Sequence, residues 1–578
     1  MAGSKHIDKI CMAVLALSLL LTVLFVNGES LGIEKIIDED AEENEGSACF
    51  TANDLDGDWD TSSAARIDLD AETAGGSAYF YDGDLIISGA GRYALTGTLD
   101  GGSIIVAADN STKVWLLLDG VTVNCPDDAC LRVDEADKVF LTLAEGTENA
   151  FTSGESFSET ALADNTGGAI FAHDDLTING SGSLTVTAGY KHGIDANDEL
   201  VITGGMISIS APQDGLHVND GFRLCGASLT IAVGDDGIHS DTSIYIESGT
   251  VRIDECYEGI EAPGIDIAGG DITIYPTDDG LNASDGSSGS MFGGLGMFGG
   301  GRDFSRFDGN MPDDGDFGMQ TPRFPGFDGE IPDLPGASVP DGEAPTLPDA
   351  FASPDGEAAG PNVPAVDDIG LSDGELYIRI SGGTITIINE NARDADGIDS
   401  NGSIYITGGS IRISMASGGY ALDVGSENGG VMEIGGGDIV ACGSYAMAES
   451  FDSGSTQPSI LYTYSAGAPA GATVALEDMD GNVLISYTAP CAFSCVNLSC
   501  PEMKLGETYR VVIGGNAEEI TLSGGRTAWA MADPPRELTQ WYQYSFAVWW
   551  EEDGYLLSVF SSLPREETVK IAEGVLKM

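Results

Sequence analysis

The sequence predicts an all-β chain: a right-handed parallel β-helix, a solenoid of about 22 residues per rung, with a small C-terminal β domain. Three observations carry this. The turns "YKHGIDAND", "PQDGLHVND", "GDDGIHSD", "CYEGIEAPG" and "TDDGLNASD" place Gly193, Gly215, Gly237, Gly259 and Gly280 at spacings of 22, 22, 22 and 21 residues. Between them lie short runs such as "ELVITGGMISISA" and "SIYIESGTVRIDE", in which Ile, Val, Leu and Thr alternate with polar residues, as in half-buried strands. Helical periodicity is nowhere sustained, and 80 glycines provide for many turns. A rung cannot bury its apolar side chains alone, and stacking rungs builds the core.

The elements follow in order. Lys5 and Lys9 precede an apolar run from Ile10 to Val26, so residues 1–28 are expected to be a secretory signal peptide, with an uncleaved anchor as the alternative. The protein is then secreted or displayed at the cell surface. Residues 29–75, with "DEDAEENE", are expected to form an acidic, solvated linker. Residues 76–284 and 367–454 carry the rungs. Between them, 285–366 hold half of the 22 prolines and much Gly and Asp; this insertion is expected to be disordered. After it, "DADGIDSNGSIYITGGSIRISMA" restates the unit, and "GYALDVG" is a degenerate copy carrying Asp423. Residues 455–525 read as a compact antiparallel unit, with "DMDGN" as a hairpin turn, placed to cap the open end of the helix. The end, 526–578, holds four of the six tryptophans. Nine cysteines follow the apolar run; Cys125 and Cys130 could close a small loop, or all could be buried thiols.

The chain sets 24 Lys and Arg against 93 Asp and Glu, a formal net charge of −69. That argues against nucleic acid and against direct binding to anionic lipid, both of which need a basic footprint. It suits cations, or anionic ligands met through a bridging cation. Adjacent rungs lie about 4.8 Å apart, so equivalent residues form columns. One column runs Asp195, His217, His239, Glu261, Asn282. Another, three residues earlier, runs Asp214, Asp236, Glu258, Asp279 and resumes at Asp396, with Asp235 and Asp278 beside it. A single Asp-Gly pair is an ordinary turn, in which glycine supplies a positive φ. Stacked carboxylates about 5 Å apart repel by roughly 1–3 kcal/mol per pair at intermediate dielectric, and a bound divalent cation relieves this. Calcium takes six to eight oxygens in flexible geometry and is the expected cofactor. His217 and His239 suit transition metals better, or simply bond to the neighbouring carboxylates.

A calcium-dependent polysaccharide lyase is the enzymatic alternative. It needs a basic residue beside the metal, for which Lys191 and Arg393 lie nearest the turns; Arg223, Arg252, Arg379 and Arg412 are the other candidates. No basic residue recurs within the turns, and no phosphate loop or nucleophile elbow is present. The aromatic run "WYQYSFAVWW" can stack on sugars or fill a β core.

Several motifs occur together in order: "DKVFLTLAEGTENAF" (137–151), the "DDGIHSD"-type turns, the Gly- and Met-rich stretch after "DDGLNASDGSSGS", and "GYALDVG" leading to "AMAES". Over about 76–525 the chain resembles the bacterial carbohydrate-binding β-helix family, with the N-terminal linker and the Trp-rich end outside the pattern. The resemblance implies a pectate-lyase-like fold, bound calcium, and binding of plant cell-wall polysaccharide, cellulosic or acidic and pectic, without demonstrated lyase activity. The turn acids Asp195, Asp214, Asp236, Glu258, Glu261, Asp279, Asp396 and Asp399 carry over as the expected calcium ligands. The expectation is thus a non-catalytic, calcium-dependent, monomeric polysaccharide binder, with a structural surface adhesin as a further alternative.

Overall fold

Branched apolar residues at every second position shape the strands, because a pleated strand turns alternate side chains to opposite faces. In Met206–Ala211, Ser228–Val233 and Thr250–Cys256, the residues Ile207, Ile209, Leu229, Ile231, Val251 and Ile253 are buried, while Ser208, Thr230 and Arg252 are exposed. The computed structural model describes residues 49–285 and 375–522 apart from 394, and the backbone of strands Ala528–Met531, Phe546–Glu552 and Tyr555–Ser561. The expected signal at 1–28, the insertion beyond Asp285 and the side chains of the Trp-rich end lie outside them. Among the described residues no helix is long and apolar enough to cross a membrane.

The expected solenoid is present. One face is a 12-stranded sheet, one strand per turn, parallel except for the hairpin Ala78–Tyr81 with Asp84–Ile87 at its N-terminal edge. The other two faces share a 22-stranded sheet. They merge because Gly91–Asp100, Lys113–Cys125, Ser403–Met415 and Met432–Gly443 each run round a corner unbroken. Across the insertion the stack resumes in register: Gly264–Ile267 pairs with Tyr377–Ile380, and Leu281 opposes Ile398.

The turn glycines are required for a different reason from the one expected. None of Gly193, Gly215, Gly237, Gly259, Gly280 and Gly397 has a positive φ. Each lies against the next rung instead. A Cβ on Gly237 would sit 2.6 Å from the carbonyl oxygen of Gly259 and 2.5 Å from Ile253 Cδ1; on Gly215 it would sit 2.6 Å from that of Gly237. The amide N–H groups of Gly215, Gly237, Gly259 and Gly280 donate to the carbonyls of Asp236, Glu258, Asp279 and Asp396, each at 2.9 Å. The repeat is a ladder of glycines in backbone contact, one rung upon the next.

The acidic linker expected at 29–75 is overturned for its described part. Residues 49–75 pack on the solenoid, with Cys49, Phe50, Trp59, Ile67 and Leu69 buried. Ala65–Asp68 pairs in parallel with Tyr93–Thr96. The preceding stretch is a strap across several rungs: Trp59 Nε1 donates to Thr142 Oγ1 at 2.9 Å, Thr177 Oγ1 to Asp54 Oδ1 at 2.6 Å, and Arg223 to Cys49 O at 2.8 Å. Lys138 Nζ lies 3.0 Å from Asp54 Oδ1. These polar partners sit on the outer side of a sheet that the strap closes off from water, so each must be satisfied. Replacing Thr142 by Val strands Trp59 Nε1 and Asn179 Oδ1, which Thr142 now engages. It is expected to cost about 1–3 kcal/mol in urea unfolding; an unchanged midpoint would show that the strap contributes nothing there.

At the other end, Phe493–Ser499 lies antiparallel on Met432–Gly443, with Ser459–Ala468 on its far side. Glu449, Asp452 and Ser455 side chains accept the edge N–H groups of Val424, Met432 and Ile434 at 2.8–3.0 Å. The open end is thereby covered, as a bare parallel edge must be. A four-stranded antiparallel sheet over Thr473–Thr521 buries Val474, Leu476, Val511 and Ile513 in a second core shared with Val440 of the last solenoid strand and Val496 of the covering strand. The "DMDGN" hairpin closes it, with Asp478 accepting from Asp480 N and Asn482 N at 2.9 and 2.8 Å. All nine described cysteines are buried; Cys125 and Cys130 remain thiols, and burial pushes Cys130 up to about 12.

Candidate metal centre

The short strands of the first face bring the predicted columns together. Asp195 opposes His217, His217 opposes His239, His239 opposes Glu261, and Glu261 opposes Asn282. The register continues to Asp399 and then Asp423. The second column stands one residue before the glycine ladder, so the rungs of Gly215, Gly237, Gly259, Gly280 and Gly397 each set an acid beside the corner. Its carboxylates partly serve the backbone: Asp214 Oδ1 accepts from Asp236 N at 3.2 Å, and Asp279 Oδ1 from Asp396 N at 2.6 Å.

At the N-terminal end of the site imidazoles intervene. His192, His217 and His239 stack in a row, with ring centroids 4.3 and 5.1 Å apart. His192 Nδ1 and His217 Nδ1 both approach Asp214 Oδ2, at 3.0 and 2.9 Å. His239 Nδ1 lies 3.0 Å from Glu261 Oε2 and 3.5 Å from Asp236 Oδ2, and its Nε2 lies 3.1 Å from Asp241 Oδ1. Burial works against the Asp214 carboxylate, but the two imidazoles outweigh it and hold the group well below its usual range. Burial also opposes charge on His239, yet its bonds to Asp236, Glu261 and Asp241 raise it. His217 and His239 therefore do bond to their neighbouring acids.

Farther along, the donors are oxygens. Asp396, Asp399 and Asp423 bring carboxylate oxygens within 4.8 Å of one another, as do Asp214, Asp235 and Asp236. Between these groups stand Glu258, Asp279 and Asn282. Burial, then the charges of Glu261 and Asp236, push Glu258 up to about 9. Burial, with Asp399 and Asp278 adding, pushes Asp279 up to about 8. Asn282 Nδ2 donates to Glu258 Oε2 at 2.8 Å, but Asn282 Oδ1 is buried with no hydrogen-bond partner. A leftover buried oxygen among carboxylates that resist ionising together is a donor set a calcium ion fits. Asp278 is instead engaged by the Tyr257 hydroxyl. Asp195 stays with the imidazoles: burial raises it, and His192 and His217 pull it back.

Sequence reasoning missed His192 as a member of this cluster, although it stands before Gly193 as Asp214 stands before Gly215. Asp423 was legible as a degenerate copy but not as a partner of Asp396 and Asp399. Of the basic residues, Arg223, Arg379 and Arg412 pair with Glu199, Asp266 and Asp438. Arg252 lies 2.5 Å from Asp254 and is exposed. Lys191 has φ +47° and sits 5.6 Å over the Tyr190 ring, and Arg393 lines an open cavity with Glu390, Ser417 and Cys491.

Residues 81–297 match the family model described as carbohydrate-binding domain-containing protein, in agreement with the resemblance read from the motifs. A curated protein of that description from Acetivibrio thermocellus is 36% identical over 126 residues, 22% of this chain and 44% of the relative. The chain thus spans less than half of that relative's length. Among solved structures it is similar to the polysaccharide lyase-like protein from C. thermocellum, in its gadolinium derivative. That match has 20% identity and a TM-score of 0.32, and covers 64% of this chain and 96% of that one.

Proposed function

We propose that the protein is an extracellular, non-catalytic carbohydrate-binding protein that holds acidic, pectic-type polysaccharide through calcium bound on the first face of its solenoid. The observation that carries this is the oxygen-rich part of the column, where Asp396, Asp399 and Asp423 converge and Asn282 Oδ1 is buried without a partner. The family match over 81–297 supports a carbohydrate ligand. With a net charge of −69, direct contact with a polyanion is repulsive, so a bridging cation reconciles protein and ligand. Asp396, Asp399 and Asp423 would hold the ion, and Glu258, Asp279 and Asn282 a second one nearer the imidazoles. The ion supplies charge neutralisation and open coordination positions for sugar carboxylates.

A glycan array run with calcium and with EDTA tests this. Retention of polygalacturonate in calcium, lost in EDTA, is expected, whereas retention unchanged by EDTA contradicts the bridge. The same chain, incubated with polygalacturonate and calcium, is expected to yield no rise in ultraviolet absorbance from unsaturated products. Steady product formation lost in Lys191→Ala or Arg393→Ala would establish a lyase instead.

A further inference from the structure

The histidines divide the column chemically. Imidazole is a poor partner for calcium, a hard cation that takes oxygen, and a good one for zinc and its neighbours. His192, Asp214 and His217 place three ligand atoms within 4.8 Å of one another. Bonds of 2.0–2.1 Å from one zinc-class ion leave neighbouring ligand atoms about 2.9–3.4 Å apart, depending on coordination geometry. The two imidazole–carboxylate separations here are 3.0 and 2.9 Å.

Two further observations favour a ligand role over a simple ion pair. His192 Nδ1 is buried and makes no hydrogen bond, although Asp214 Oδ2 is 3.0 Å away; the oxygen lies off the line of a ring N–H. The site is also held in place by its surroundings. Asp214 Oδ1 is occupied by the Asp236 amide, which leaves Oδ2 facing the imidazoles. Such outer bonds orient metal ligands.

We propose that His192, Asp214 and His217 form a binding site for a divalent transition metal of the zinc class, distinct from the calcium positions among the acids farther along the face. With three protein ligands, one coordination position stays open to water or an outside oxygen ligand. His239, stacked on His217 and backed by Asp236 and Glu261, bounds the site on its next rung.

The test is titration of the full chain with Co2+ after chelator treatment, in a millimolar excess of calcium. A saturable visible spectrum at one equivalent, displaced by Zn2+, is expected. His192→Gln and His217→Gln should each weaken Co2+ at least about 10–100-fold, the loss that even outer-shell changes produce. Asp399→Asn should leave Co2+ binding unchanged while reducing the calcium response. Circular dichroism checks that the variants fold. Independently of any variant, Cu2+ bound to the wild-type chain should show nitrogen splitting in its electron paramagnetic resonance spectrum. Full displacement of Co2+ by calcium, affinity unmoved by both histidine variants, or a copper spectrum without nitrogen splitting would each overturn the proposal. All three readouts are independent of polysaccharide binding.

Discussion

Gly237→Ala is expected to destabilise the chain by about 3 kcal/mol or more, the upper range for overpacking a rigid core. The new methyl would meet a carbonyl oxygen at 2.6 Å and an isoleucine methyl at 2.5 Å. Neither neighbour can move freely. The carbonyl belongs to Gly259, itself pressed against Gly280, and Ile253 is fully buried. The only escape is to part the rungs, which breaks the bond from the Gly237 amide to Glu258 O. In a solenoid each rung contacts only its neighbours, so a lesion in the middle weakens the stack as a whole. Gly221 is the control. It has no positive φ, and a Cβ there meets nothing nearer than Ser243 Oγ at 3.6 Å. Gly221→Ala should stay within about 0.5 kcal/mol of wild type. Equal effects of the two substitutions in thermal or urea unfolding would refute the glycine ladder.

Stability is also expected to depend on pH and calcium together. Burial and neighbouring acids raise Glu258 to about 9 and Asp279 to about 8. A carboxyl raised on folding holds its proton in the native state while the unfolded chain, near pH 4, has lost it. Stability is therefore fully present below the unfolded value and falls as pH rises through about 5 to 9. In EDTA the melting temperature should drop steadily over that range. In calcium the drop should be much smaller, because the ion replaces the protons. Glu258→Gln should reverse its effect with conditions: stabilising in EDTA at pH 8, and blunting the calcium response. A melting temperature independent of pH in EDTA, or a Glu258→Gln variant destabilised in both media, would show that the column is not electrostatically strained.

The fold was legible because its period is the fold. A 22-residue repeat places Asp195, His217, His239, Glu261 and Asn282 one strand apart, and each is found opposite the next. The same arithmetic reaches His192, since it shares the position of Asp214 relative to the turn glycine. A motif search keyed to acids passes over it. The meaning of the glycines was not legible. An Asp-Gly pair reads as a turn needing positive φ, whereas the stacked rungs need a residue without a Cβ; only the packing of one rung on another distinguishes the two. Residues 49–60 were hidden for another reason. They have no strand or helix period, and their partners are remote: Arg223 reaches Cys49 across 174 positions, and Thr177 reaches Asp54 across 123. Local pattern contains no trace of such contacts.

Calcium on the acid column is proposed to join this protein to an acidic polysaccharide. Affinity electrophoresis through a gel containing polygalacturonate measures it most directly, comparing wild type with the Asp396→Asn/Asp399→Asn/Asp423→Asn variant. Retardation of the wild type in calcium, abolished by EDTA and absent from the folded variant, is the predicted result. Equal retardation of both proteins, or retardation that persists in EDTA, would contradict it.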